Sequence, residues 1–124
     1  MDTPSIDIDV ETTYREDRSE PDAGRYVFGY RIRIHNRGDQ STQLLRRHWV
    51  ITDSNGKVQE VRGDGVVGQQ PVLEPGAAYE YSSGAIIDTP VGTMQGSYLM
   101  RSADDEQFEA PIAPFTLAIP GILQ

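Results

Sequence analysis

Residues 26–36, YVFGYRIRIHN, set Tyr26, Phe28, Tyr30, Ile32 and Ile34 at alternate positions, with Val27, Gly29, Arg31, Arg33 and His35 between them. In an extended chain successive side chains leave opposite faces, so this spacing makes one apolar face and one arginine-bearing face. A helix would scatter the same residues around its circumference. The stretch is a strand of a half-buried sheet.

The segments on either side repeat the period. Residues 5–14, SIDIDVETTY, alternate Ile6, Ile8 and Val10 with Asp7, Asp9 and Glu11. REDRSEPDAG follows, charged and broken by Pro21 and Gly24, and predicts an exposed, mobile acidic loop over 15–23. Downstream, NRGDQS turns the chain into TQLLRRHWVITD, where Leu45, Trp49 and Ile51 share one parity and Arg46 and His48 take the other. DSNG before KVQEVRG predicts a hairpin in which Asn55 and Gly56 supply positive φ angles. Further strands are expected in AAYEYSSG, GTMQGSYLMRS and APFTLAIPG, the first set off by a Pro75-Gly76 turn. No window sustains helical spacing between caps. Seven to nine short strands in 124 residues predict one all-β domain over 1–124, an Ig-like or fibronectin type III-like two-sheet antiparallel β-sandwich, with a small barrel as the alternative.

The net charge of −8 argues against general affinity for nucleic acid or an anionic membrane. Its distribution is uneven: residues 1–24 carry −6, residues 25–62 carry +5 and residues 63–124 carry −7. No cysteine is present, which removes disulfides, thiol catalysis and cysteine-based metal sites. The opening MDTPSIDIDVET has neither a basic nor a continuous apolar region, so a cytoplasmic location without a membrane segment is expected.

The basic block ends at GDGVVG, in which Gly63, Gly65 and Gly68 spell Gly-x-Gly-x-x-Gly. In a dinucleotide fold that motif needs a helix whose N-terminus faces the pyrophosphate. Here QQPVLEPG follows, and Pro71 and Pro75 forbid a regular helix. The glycines then serve either a tight loop between strands, or a small nest of amides that binds an anion with help from Arg62 and neighbouring arginines.

Elsewhere the chemistry is sparse. His35 and His48 are the only imidazoles, without the close spacing of a metal site, and DSNGKVQE lacks the pattern of a calcium loop. Ser82 and Ser83 lack a nucleophile elbow, and Asp104, Asp105 and Glu106 solvate a turn. No catalytic residue, metal or cofactor is expected. Arg31, Arg33 and His35, extended by Arg46 and His48 if their strands are neighbours, make a basic face for an acidic partner.

The run RRHWVITDSNGKVQEVRGDGVVGQQPVLEPG at 46–76, followed by YEYSSG and GTMQGSYLM, resembles the ApaG family, also called CorD. The likeness extends from about residue 5 to the C-terminus and rests on the order Trp49, Ile51-Thr52-Asp53, Gly63-x-Gly65-Val66-Val67-Gly68, Pro71, Pro75-Gly76, Met94-x-Gly96-x-Tyr98. It implies a fibronectin type III-type sandwich, an association with cobalt resistance and magnesium efflux, and a gene neighbourhood containing a diadenosine tetraphosphate hydrolase. It also implies protein interaction, as in the related domains of F-box and DNA-polymerase-interacting proteins. At Gly63, Gly65 and Gly68 it implies contact with a nucleotide or pyrophosphate. The expectation is a non-enzymatic binding domain that engages another protein through Arg31, Arg33, Arg46 and His48, or a second copy through a sheet edge. The alternative is a sensor of pyrophosphate or dinucleoside polyphosphate at Arg62, Gly63, Gly65 and Gly68.

Overall fold

The period-two segments become strands. Residues 5–121 are described by the structure, a computed structural model, and form β1 (Ile6–Tyr14), β2 (Tyr26–Asn36), β3 (Thr42–Asp53), β4 (Val58–Asp64), β5 (Val72–Leu73), β6 (Ala78–Ile87), β7 (Val91–Ser102) and β8 (Gln107–Ala118). Every pairing between them is antiparallel. One sheet has the order β1-β2-β6; the other runs β4-β3-β7-β8, with β5 also pairing β3. Packed together they are the all-β, fibronectin type III-like sandwich expected from the alternation. Among the described residues helical geometry is confined to two short 3₁₀ turns, Glu16–Arg18 and Pro21–Ala23, which shape the acidic loop. The Ser19 hydroxyl holds that loop by donating to the Arg15 carbonyl and accepting the Val27 N–H. No described helix is long and apolar enough to cross a membrane.

The charge blocks of the sequence meet across strands. Glu11 faces Arg31 and Arg33 faces Glu80 in register, with ion pairs at 2.7 and 3.6 Å, while Arg37 reaches Asp7 at 3.0 Å. Such exposed pairs contribute at most about 1 kcal/mol each, yet they favour this order of strands over one that sets like charges side by side.

Two local expectations are corrected. The core residue of the LeuLeu pair is Leu44, not Leu45, because β3 carries a bulge between Leu44 and Arg46 that shifts its register by one residue. In the DSNG turn only Gly56 has positive φ. Asp53 organises the rest, its Oδ1 accepting the N–H groups of Asn55 and Lys57.

Trp49 stands at the centre of the core, with edge-on contacts to Tyr30 from the opposite sheet and to Tyr98 and Phe115 from its own. The Tyr81 and Tyr98 hydroxyls hydrogen bond to each other across the sheets, so neither buried phenol is left unsatisfied. Burial is the main cause that lifts the phenols of Tyr30, Tyr81 and Tyr98 above the ordinary tyrosine value. The folded protein therefore keeps protons that the unfolded chain releases near pH ~10. The stability this contributes is fully present below that unfolded value and is lost as pH rises toward the folded ones. In an alkaline titration these three phenols are expected to ionise together with the loss of near-ultraviolet circular dichroism. A late phenolate signal that develops while the dichroism stays intact would contradict the burial.

Candidate functional site

β4 and β5 lie end to end on one side of β3: β4 pairs with Arg46 to Thr52, and β5 with Thr42 and Gln43. GDGVVG straddles the gap between these two pieces of a single edge strand: Gly63 and Asp64 end β4, and Gly65 to Gly68 begin the excursion that leads to β5. The bulge in β3 faces it, and the Leu45 carbonyl accepts the Gly65 N–H at 2.8 Å and the Gln70 side-chain amide at 2.9 Å. Val66 is buried and pins the excursion to the core. Val66 and Gln69 exchange both backbone hydrogen bonds around a two-residue tip, where Val67 and Gly68 have φ of 48° and 78°. This is the geometry of a primed turn, which usually takes Asn-Gly; a β-branched residue is strained there. Val67 is nonetheless 61% exposed, so burial does not hold it in that conformation.

Arg47 is the residue that organises this region and that the sequence reading passed over. It lies two positions before Trp49 and so shares the core parity, beside an edge strand that is thin at Gly63. Its guanidinium occupies the space above that glycine, where an added Cβ would come within 2.8 Å, and it donates to the carbonyls of Asp64 and Gly65, both at 3.0 Å. An arginine at core parity next to a glycine-rich loop was the available signal: a cation so placed needs carbonyls, and loops supply them.

On the outer face of this sheet, cross-strand register sets Arg62, His48 and Ser97 in one row and Asp64, Arg46, Leu99 and Glu109 in the next. Together with Arg47 and Gly63 they line a shallow groove of about 710 Å³. Glu60 flanks it, bonded to His48 Nε2 at 2.8 Å and Arg62 at 3.1 Å. The His48 hydrogen bond first, then Arg62, holds the Glu60 carboxyl below its ordinary value. Arg46 pairs with Asp64 at 3.5 Å.

Of the residues singled out in the sequence, Arg46, His48, Arg62 and Gly63 converge on this groove, and Gly65 and Gly68 lie in the loop at its end. Arg31 and Arg33 do not join them. β2 belongs to the other sheet, so the single basic face expected from Arg31, Arg33, Arg46 and His48 is divided between opposite sides of the sandwich. The two histidines are separated likewise, His35 bonding to the Gly76 carbonyl and His48 to Glu60. Arg62 faces Glu60, and the arginine at the glycines is Arg47.

An ApaG domain family model matches residues 16–102. The chain is 54% identical over 118 residues to Protein ApaG of Pseudomonas putida strain W619, covering 95% of this chain and 94% of that one. It is 57% identical over 118 residues to Protein ApaG of Thiobacillus denitrificans, covering 95% and 93%. Among solved structures, the ApaA protein of Bordetella pertussis superposes with a TM-score of 0.93 at 47% identity, covering 95% of this chain and 96% of that one. With the family model over residues 16–102 and relatives above half identity along most of both chains, this chain belongs to the ApaG domain family.

Proposed function

We propose that this protein is a non-enzymatic cytoplasmic docking module, and that its partner is another protein laid across the groove of Arg46, His48 and Arg62 and against the Val67 tip. The observation that carries the reading is Val67, a strained and exposed apolar side chain at the end of a charged groove. Strain of this kind is kept where something outside the local fold uses it. The groove is broad and shallow, and Arg46, Arg47 and Arg62 outnumber Asp64 and Glu109 in its lining, which suits an acidic loop or strand of a partner better than an enclosed small substrate. On this reading the cobalt and magnesium associations of the family act through the partner.

Val67→Asn tests the reading, because asparagine tolerates the left-handed conformation. It is expected to raise stability by about 1 kcal/mol while reducing partner recovery in affinity purification. Arg46→Glu/Arg62→Glu should abolish that recovery, and Arg31→Glu/Arg33→Glu, on the opposite sheet, should leave it intact. The reverse pattern would move docking to the three-stranded sheet. Sedimentation of the purified chain distinguishes a foreign partner from a second copy paired through the β4 edge, where Val58 and Val61 are exposed.

The pyrophosphate or dinucleoside polyphosphate reading has one observation in its favour: the amides of Val67 and Gly68 donate to no protein atom among the described residues. Against it, the Gly65, Val66 and Gln69 amides are committed to carbonyls, and Arg47 and Arg62 to their own partners. Amide NMR with added pyrophosphate decides: saturable shifts at Gly63 to Gly68 would favour it over the protein partner.

A further inference from the structure

β4 is an outer strand of the larger sheet. Just before its first residue the Asp53 N–H donates to the Lys57 carbonyl, and just after its last the Gly65 N–H donates to the Leu45 carbonyl. Between these points β4 pairs with β3 without a register shift, from Thr52 opposite Val58 to Arg46 opposite Asp64. Alternate residues of an antiparallel strand turn their backbone groups to opposite sides. Gln59, Val61 and Gly63 therefore bond to β3, while Val58, Glu60 and Arg62 point N–H and C=O away from the sheet. None of these six groups has a partner among the described residues. The outer strand at the other side of the same sheet, β8, is blunted by Pro111 and Pro114; β4 contains no proline. The large apolar side chains that stay exposed follow the same line: Val58 and Val61 on β4, Val67 at the tip and Val72 on β5, with Ile86 across from Gln59, whose amide its carbonyl accepts. Val61 is 37% exposed although it stands opposite Trp49 in register, because no strand lies beyond it.

We propose that an extended segment of the partner protein adds to β4 as a further strand, its backbone pairing with Val58, Glu60 and Arg62. This rests on the docking module proposed above and specifies how the partner is held and what it carries. Unpaired strand groups are satisfied together only by another strand, whose side chains alternate between the two faces. On the core side the added strand meets Val61, which calls for an apolar residue. On the outer side it meets Arg62, an exposed guanidinium bonded to Glu60 through one of its nitrogens. The Glu60 carboxylate is already met by His48 as well as by Arg62. The donors left over at this edge are those of a cation, so the residues flanking the apolar one are acidic. Arg47 sets the limit of the pairing, because it takes the next outward carbonyl, that of Asp64. The recognised segment is thus an acidic-apolar-acidic run without proline.

The test is amide NMR on the full chain, titrated with a short synthetic peptide that alternates aspartate and valine. Saturable shifts over residues 58–62 are expected, with slowed hydrogen exchange at Val58, Glu60 and Arg62. A copy with lysine in place of aspartate should bind about tenfold more weakly or worse. Of two further copies, N-methylated at the aspartates or at the valines, one should lose binding and the other keep it, and which one does so reports antiparallel or parallel pairing. On the protein, Glu60→Pro removes an N–H that faces away from β3, so the melting temperature should stay within a few degrees while peptide binding is lost. Glu60→Ala, which keeps that N–H, should bind at least as well as the natural chain. The proposal is overturned if no peptide gives saturable shifts at 58–62, if the two N-methylated copies bind alike, or if Glu60→Pro binds unchanged. Concentration-dependent shifts of the same amides without peptide, together with a dimer in sedimentation, would put a second copy on the edge and overturn it as well. If Glu60→Pro leaves partner recovery intact while Arg46→Glu/Arg62→Glu abolishes it, the groove holds its partner by side chains and only the added strand is wrong.

Discussion

Replacing Gly96 by alanine is expected to cost at least 3 kcal/mol, which for a chain of this size lowers the melting temperature by about 12 °C or more. Gly96 lies in β7 directly opposite Trp49 of β3, on the core face between Met94 and Tyr98. A Cβ there would sit 1.9 Å from the His48 carbonyl oxygen and 3.1 Å from the Trp49 Cα. Both are backbone atoms of the neighbouring strand, so no rotamer change relieves the overlap, and β3 and β7 would have to separate where the tryptophan packs. The β7–β8 register slips beside this point, between Met94 and Gly96, with the extra residue accommodated in β8 near Pro114 on the sheet edge. Urea melts followed by tryptophan fluorescence provide the measurement. Strand propensity alone would make the substitution stabilising by about 0.5–1 kcal/mol, so a gain, or a loss below about 1 kcal/mol, would mean that the two strands do not approach as closely as described.

Sequence reading succeeded where one physical requirement acts alone. In β2 the only demand is that alternate side chains enter the core, and Phe28, Tyr30, Ile32 and Ile34 are buried while Arg31 and Arg33 are exposed, as the period requires. It failed where long-range pairing intervenes. Nothing local distinguishes Leu44 from Leu45; the bulge exists because the Leu45 carbonyl is wanted by Gly65 and Gln70, some twenty residues away. The division of the basic face has the same origin. Arg33 and Arg46 are near in sequence and alike in pattern, but the chain crosses from one sheet to the other between them. Arg47 was hidden by its parity, which assigns it to the core, and only the missing side chain of Gly63 on the paired strand gives its guanidinium room.

The same distinction between local and long-range demands gives the last prediction, which separates the two roles that a Gly-x-Gly-x-x-Gly motif can have. Gly65→Ala is expected to cost on the order of 3 kcal/mol and Gly68→Ala about 1 kcal/mol, or melting temperatures lower by about 12 °C and 4 °C. Both glycines have positive φ, 63° and 78° respectively, and both substitutions carry the left-handed penalty. Only at Gly65 is there a second term: its Cβ would lie 2.3 Å from the Gln69 carbonyl oxygen, whereas at Gly68 nothing stands within 4 Å. That carbonyl is the one that accepts the Val66 N–H, so moving it opens the hairpin tip and loosens the buried Val66. If the glycines existed only to let a phosphate approach, the two substitutions would be alike in stability and would differ only in ligand affinity. Equal melting temperatures for the two variants would therefore refute the architectural role of Gly65. Gly68→Ala, which keeps the fold, is the variant in which pyrophosphate binding is to be measured, because a loss of binding there cannot be blamed on a collapsed loop.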